Sequence, residues 1–283
     1  MIILSAFVNL LKSILYGIVE GVTEWLPFSS TGHMILLDEW LDVESMYGKP
    51  YWDLFLVVIQ LGAIIAVVLC FFNKLWPFTK NKTKEEKKDT WKLWLNVLIA
   101  CVPAAIIGLL FDDWLDAHFY NFTTVAIMLI VYGVIFIVVE IFNKKRTFKI
   151  SDCKQITWKV ALVIGIVQLL ALIPGTSRSG VTILGAMLIG LNRESSAEFS
   201  FFLSIPVMFG ASLLKIVKFF IDGNTITGEG AAFLAVGCIV AFIVSIVVIK
   251  FLLKYIKGHD FKVFGIYRII LGIILIIYMI AAH

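Results

Sequence analysis

Charged residues are scarce in this sequence. They make up 16% of its 283 residues, whereas a soluble domain usually has about a quarter. Instead, 60% of the residues are hydrophobic, and the mean hydropathy is +0.97. Apolar runs of about 20 residues recur along the chain, and each is long enough to cross a bilayer core. The composition excludes an ordinary soluble domain and predicts an all-α polytopic membrane protein, because helices pair their backbone groups within one segment.

Cysteine and histidine are also few, with four of each. The cysteines are scattered, and no pair has the spacing of a metal site or of a disulfide framework. The net charge of +4 comes from basic residues in the loops, so it predicts no nucleic-acid partner. The first apolar run has no basic segment before it and no small-residue cleavage site, so we expect no removable signal peptide.

Six apolar runs are expected to be full membrane spans. They lie at about 53–72, 91–111, 122–142, 198–220, 231–253 and 263–282. The loops at 73–92 and 143–159 are rich in lysine, whereas the loops at 112–121 and 221–230 have neither lysine nor arginine. By the positive-inside rule, the basic loops lie in the cytoplasm, and the loops without lysine or arginine and both termini lie outside.

Two further apolar stretches, 5–37 and 158–191, are interrupted by the sequences PFSSTG and PGTSRSG. Proline, glycine and hydroxyl residues in such a run free backbone groups, which at membrane depth must be covered by protein or by a wet cavity. We interpret each stretch as a re-entrant helix–loop–helix hairpin. The hydroxyl residues in both interruptions are typical helix N-caps.

The two hairpins resemble each other, because Gly17 and Glu20 match Gly165 and Gln168 at the same offset. Three spans follow each hairpin, and this odd number inverts the second half relative to the first. The sequence therefore predicts a single membrane domain over 1–283, built as an inverted-topology repeat whose halves cover about 1–150 and 155–283. The hairpin tips are expected to meet near the midplane, which is an arrangement typical of secondary transporters.

Two acids lie inside the first hairpin. Glu20 and Glu24 are four residues apart and share one face of a helix. They either face water or pair with lysines, or they form a site, which an acid in an apolar run favours. Carboxylate oxygens suit Mg²⁺ or Ca²⁺, with water and substrate phosphates completing the coordination shell.

The second interruption carries one cation, Arg178, between Ser177 and Ser179 at a predicted helix N-terminus. Such a terminus favours an anion, and the guanidinium can donate to two phosphate oxygens at once. We expect both serines to bind phosphate. Thr182, on the next turn, either adds a further hydroxyl to this site or caps the helix.

The first interruption supplies hydroxyl groups and a histidine. Ser30 follows Glu24 by six residues, across a turn at Pro27 that can fold the serine back toward the acid. Ser29 is expected to cap the helix or hold a phosphate oxygen, together with Thr31. His33 follows closely, and acid–base or phosphate contact is favoured over a packed polar residue. These groups predict a membrane site that binds a phosphate-type polyanion on a lipid and delivers a nucleophile to it.

The sequences EGVTEWLPFSSTGH and PGTSRSG resemble the two signature motifs of the bacitracin-resistance family of undecaprenyl-diphosphate phosphatases. Chain length, spans, hairpins and the repeat agree with that family. The resemblance implies hydrolysis of the C55 isoprenoid diphosphate to its monophosphate at the outer face of the bacterial inner membrane. It also implies carrier recycling for peptidoglycan synthesis, bacitracin resistance and a divalent metal. The family's functional residues fall on Glu20, Glu24, Ser29, Ser30, His33, Ser177, Arg178 and Thr182.

The mechanism that we expect has Ser30 attacking the terminal phosphorus. Glu20 and Glu24 hold the metal, or one of them acts as base. Arg178 stabilises the transferring group, and His33 protonates or orients the leaving phosphate. A water activated by Glu24 is the alternative nucleophile. The alternative function is a transporter or flippase of the polyprenyl phosphate carrier. Expected partners are the polyprenyl diphosphate and membrane lipids, with a homodimer left open.

Overall fold

The computed structural model describes residues 2–80, 82–119, 121–144 and 146–282, and most of these residues are helical. The helices are α1 (Ile2–Thr23), α2 (Ser30–Leu41), α3 (Val43–Tyr47), α4 (Lys49–Val58), α5 (Gln60–Cys70), α6 (Phe72–Leu75), α7 (Lys84–Phe119), α8 (Phe122–Asn143), α9 (Trp158–Gln168), α10 (Arg178–Ile189), α11 (Arg193–Ile221), α12 (Gly228–Tyr255) and α13 (Lys262–Ala282). Short 3₁₀ helices cover Cys153–Gln155 and Leu169–Leu172. The described ranges contain no strand, only an isolated bridge between Ile150 and Leu191.

Six helical segments are long and apolar enough to cross a membrane, as the sequence predicts. Within the described residues they cover Lys49–Cys70, Lys84–Phe111, Phe122–Asn143, Arg193–Ile221, Gly228–Tyr255 and Lys262–Ala281. The first of them is not continuous, because α4 ends at Val58 and α5 begins at Gln60. The prediction of an all-α polytopic membrane protein is confirmed.

Each interrupted stretch forms two helices with a break between them, at 24–29 and at 173–177. The residues just before α2 and α10, Ser29 and Ser177, have positive φ angles of 74° and 73°. A non-glycine residue with positive φ is uncommon, so the two breaks share an unusual turn. That these hairpins re-enter the membrane stays a prediction.

Helices of the first half of the chain pack against helices of the second half. Helix α1 packs on α12 and α9 packs on α7, while α8 packs on α13. The matched glycines lie at the first two contacts. A Cβ at Gly17 would be 2.7 Å from the carbonyl oxygen of Gly237, and one at Gly165 would be 2.4 Å from that of Ala100. Both positions therefore need glycine because a neighbouring backbone passes too close for a side chain. The predicted boundaries of the repeat halves stay a prediction.

Candidate active site

One cavity receives polar side chains from both helix breaks. Apolar residues from α11 and from the segment before α10 close part of it. Its polar lining residues are Glu24, Ser29, Ser30, Thr31, Gln60, Ser177 and Arg178. Six of these seven are residues that the sequence analysis singled out, and Gln60 is not. The two interruptions that the sequence places 148 residues apart thus line one site.

Glu24 is the link between the two breaks. Its Oε2 accepts a hydrogen bond from Ser30 Oγ at 2.6 Å. Its Oε1 forms an ion pair with Arg178 Nη2 at 2.5 Å. Glu24 is only 6% exposed, and a buried carboxylate requires such partners. The return of Ser30 toward Glu24 across the Pro27 turn is as expected from the sequence.

Ser30 is the first residue of α2, so its hydroxyl lies at a helix N-terminus. The first backbone N–H groups of a helix have no partner within it and favour negative charge nearby. Ser29 is the N-cap residue, but its side chain makes no capping hydrogen bond. Of the two roles expected for Ser29, the helix cap is therefore wrong, whereas its place in the cavity lining leaves contact with a phosphate oxygen as a prediction.

Arg178 occupies the equivalent place as the first residue of α10. Here the cap is formed, since Ser177 Oγ accepts from the N–H of Gly180 at 3.2 Å. The Nη1 atom of Arg178 donates to the carbonyl oxygen of Ser200 at 2.9 Å. The guanidinium is thus held between Glu24 and α11, at the edge of the cavity.

Ser179 and Thr182 lie behind the cavity wall and hold its charged residues. Ser179 Oγ donates to the carbonyl oxygen of Glu24 at 2.9 Å. Thr182 Oγ1 donates to the carbonyl oxygen of Arg178 at 2.8 Å and lies 2.6 Å from Ser200 Oγ. Neither lines the cavity, so their contacts fit a positioning role better than the predicted contact with phosphate.

His33 also lies away from the cavity lining. Its Nδ1 is 2.8 Å from the carbonyl oxygen of Ser29, and its Nε2 is 2.7 Å from Tyr267 Oη. Both ring nitrogens are engaged, and the ring stacks on Tyr267. The arrangement fixes the backbone at Ser29, whereas the predicted proton transfer to a leaving phosphate finds no support in it.

Glu20 is 1% exposed and does not line the cavity. Its Oε1 has no hydrogen-bond partner among the described residues, which is costly for a buried acid. No group of three or more His, Cys, Asp or Glu side chains in the described ranges could hold a metal. Mg²⁺ needs only one or two carboxylates when substrate phosphates and water complete its shell. The free acceptor on Glu20, one helical turn from Glu24, fits such a cation.

Arg268 was missed by the sequence analysis, although it is fully buried beside the site. Its Nη1 donates to the carbonyl oxygen of Pro27 at 3.0 Å. Its Nη2 donates to the carbonyl oxygens of Gly175 and Thr176 at 2.7 and 3.1 Å. One guanidinium therefore ties the backbones of both breaks together. A charge inside the apolar run at 263–282 is the signal that could have identified it.

Comparisons with known proteins agree on one family. The family model described as "Bacitracin resistance protein BacA" matches residues 13–274, which include both breaks. The chain is 61% identical over 272 residues to an "Undecaprenyl-diphosphatase" of Enterococcus faecalis (strain ATCC 700802 / V583), covering 96% of this chain and 98% of the relative. It is 55% identical over 271 residues to a protein of the same name from Streptococcus thermophilus (strain ATCC BAA-250 / LMG 18311), covering 96% and 93%.

Proposed function

The chain belongs to the bacitracin resistance protein BacA family, and from this membership we propose that it is a membrane-bound undecaprenyl-diphosphatase. It hydrolyses undecaprenyl diphosphate to undecaprenyl phosphate and inorganic phosphate, and so recycles the lipid carrier for peptidoglycan synthesis and confers bacitracin resistance. The observation that carries the proposal is the Glu24 carboxylate, which holds a serine hydroxyl on one side and an arginine on the other.

In the first step Ser30 Oγ attacks the terminal phosphorus. The bond from Oγ to phosphorus forms, the bond from phosphorus to the bridging oxygen breaks, and the lipid monophosphate leaves. Glu24 Oε2 is 2.6 Å from the hydroxyl and takes its proton as general base. Glu24 passes this proton to the departing lipid phosphate. In the second step its freed carboxylate takes a proton from a water, the water oxygen bonds to phosphorus, and the bond from phosphorus to Ser30 Oγ breaks as that oxygen recovers the proton.

Arg178 stabilises the phosphoryl group during transfer. In the structure its Nη2 binds Glu24, and substrate oxygens compete for the same N–H groups. The N-termini of α2 and α10 both face the cavity, and their N–H groups favour the charge that develops in the transition state. Two helix ends and one guanidinium thus converge on one phosphate position.

Glu24 and Glu20 are the residues that would hold Mg²⁺ or Ca²⁺, and such a cation supplies charge neutralisation at the diphosphate. The site opens to the outer face of the bacterial inner membrane in the orientation that the loop charges favour. The transporter alternative is less well supported, because transport needs no serine held against a carboxylate and the relatives are named as diphosphatases.

The test is release of inorganic phosphate from a prenyl diphosphate by the purified protein in detergent. We expect release that EDTA abolishes and Mg²⁺ or Ca²⁺ restores. Glu24→Gln keeps the shape of the side chain but removes the base, so its turnover is expected to fall about a hundredfold or more. A wild-type protein that moves polyprenyl phosphate across vesicle membranes and releases no phosphate from the diphosphate would reject the phosphatase in favour of the transporter.

A further inference from the structure

Gln60 reaches the cavity from a helix that belongs to neither hairpin. Every other residue from 54 to 70 is apolar, glycine or cysteine. A polar group within a membrane span is expensive, and it marks a functional position by default. Gln60 lies outside both signature motifs, so the motifs assign it no role.

The backbone around Gln60 is held by side chains from two other helices. The helix is interrupted there, so carbonyl groups are available to other donors. The carbonyl of Val57 accepts from Ser212 Oγ at 3.0 Å, and that of Val58 lies 3.5 Å from Cys238 Sγ. The start of α5 is therefore fixed to α11 and α12, which preorganises the Gln60 side chain at the cavity wall.

The carboxamide of Gln60 has no hydrogen-bond partner within the described part of the chain, although it borders the cavity. The cationic residue that lines this cavity, Arg178, is already paired with Glu24. A diphosphate carries several negative charges and needs more donors than one guanidinium. Gln60 supplies two N–H bonds without adding a charge that would need its own partner.

We propose that Gln60 is a substrate-binding residue whose carboxamide N–H donates to a non-bridging oxygen of the terminal phosphoryl group. The proposal rests on the diphosphatase function and adds a third wall to its phosphate site. The phosphate-binding cavity then has three contributors. The first hairpin supplies Ser30 and Glu24, the second hairpin supplies Arg178, and the first full span supplies Gln60.

The experiment compares wild type with Gln60→Leu, Gln60→Glu and, as a control on the same helix away from the cavity, Cys70→Ala. Affinity for a non-hydrolysable prenyl methylenediphosphonate is measured for each, beside kcat/KM for phosphate release. Loss of a hydrogen bond to a charged group should weaken diphosphonate binding about ten- to a hundredfold in Gln60→Leu. Cys70→Ala should bind like wild type.

Gln60→Glu provides a readout that a merely structural role would not change. Its carboxylate repels the diphosphonate at neutral pH, but the protonated acid can donate one hydrogen bond as the amide does. The affinity of Gln60→Glu relative to wild type should therefore rise as the pH is lowered, while that of Gln60→Leu stays flat. The pH dependence of Gln60→Glu binding tests the role of Gln60 even where Gln60→Leu folds poorly.

Unchanged affinity of Gln60→Leu, or a relative affinity of Gln60→Glu that does not vary with pH, would overturn the inference. Binding is measured without hydrolysis, so the two proposals fail separately. A wild-type protein that binds the diphosphonate through Gln60 but releases no phosphate would reject the diphosphatase function and leave Gln60 as a phosphate ligand.

Discussion

Gly62→Ala is the substitution whose cost follows most directly from the helix packing. A Cβ at this position would lie 2.0 Å from the carbonyl oxygen of Cys238 and 2.8 Å from its carbonyl carbon. A backbone carbonyl cannot rotate away as a side chain can, so α5 and α12 must separate by about 1 Å or more to restore ordinary contact. Overpacking of this kind costs about 1–3 kcal/mol and occasionally more. Gln60, two residues earlier, must move with α5, and a displacement of about 1 Å can cost a hundredfold in rate.

The assays are thermal unfolding in detergent and phosphate release under the same conditions. The matched control is Gly210→Ala in α11, where an added Cβ meets nothing within 4 Å. Alanine is also the better helix former, by about 1 kcal/mol, so this control should unfold at the wild-type temperature or slightly above it. We expect Gly62→Ala to unfold at a lower temperature and to turn over more slowly. Wild-type unfolding and turnover in Gly62→Ala would show that the α5–α12 contact accommodates a methyl group without cost.

The spans were predictable because hydropathy and length alone decide whether a helix can cross a bilayer. The break inside the first span was not, although Gly62 lies close to it. The residues between α4 and α5 include none that typically ends a helix. The carbonyl groups freed at the break instead bind the side chains of Ser212 and Cys238. Those residues lie 155 and 180 positions from their acceptors, and such partners leave no mark on the sequence around the break.

The same reason separates the site residues that the sequence located well from those it did not. Ser30 and Arg178 lie in the two interruptions and Glu24 lies just before the first, so a site where both hairpin tips meet brings them together. His33 lies in the same motif, yet its ring contacts Tyr267, 234 residues away. Arg268 binds backbone carbonyls, which every residue has, so its partners could not be inferred from residue types.

Four further substitutions test the site. Arg268→Met leaves the backbone carbonyls of both breaks without a donor, so we expect a lower unfolding temperature and slower turnover; unchanged unfolding would show that this clamp contributes nothing. Arg178→Lys keeps the charge but loses the two-pronged donor, and turnover should fall about a hundredfold; near-native turnover would reject bidentate phosphate binding. Ser30→Ala separates the two nucleophiles. If Ser30 attacks, a phosphoseryl enzyme must form, and the variant should bind substrate yet be almost inactive. Ser29→Ala should be milder, because Ser30 donates to Glu24 at 2.6 Å, whereas no hydrogen bond joins Ser29 to Glu24 among the described residues. Intact-protein mass spectrometry after a rapid quench detects the adduct in wild type. An absent adduct together with a half-active Ser30→Ala variant would assign the attack to a water activated by Glu24, with Ser30 reduced to a hydrogen-bond donor that orients the base.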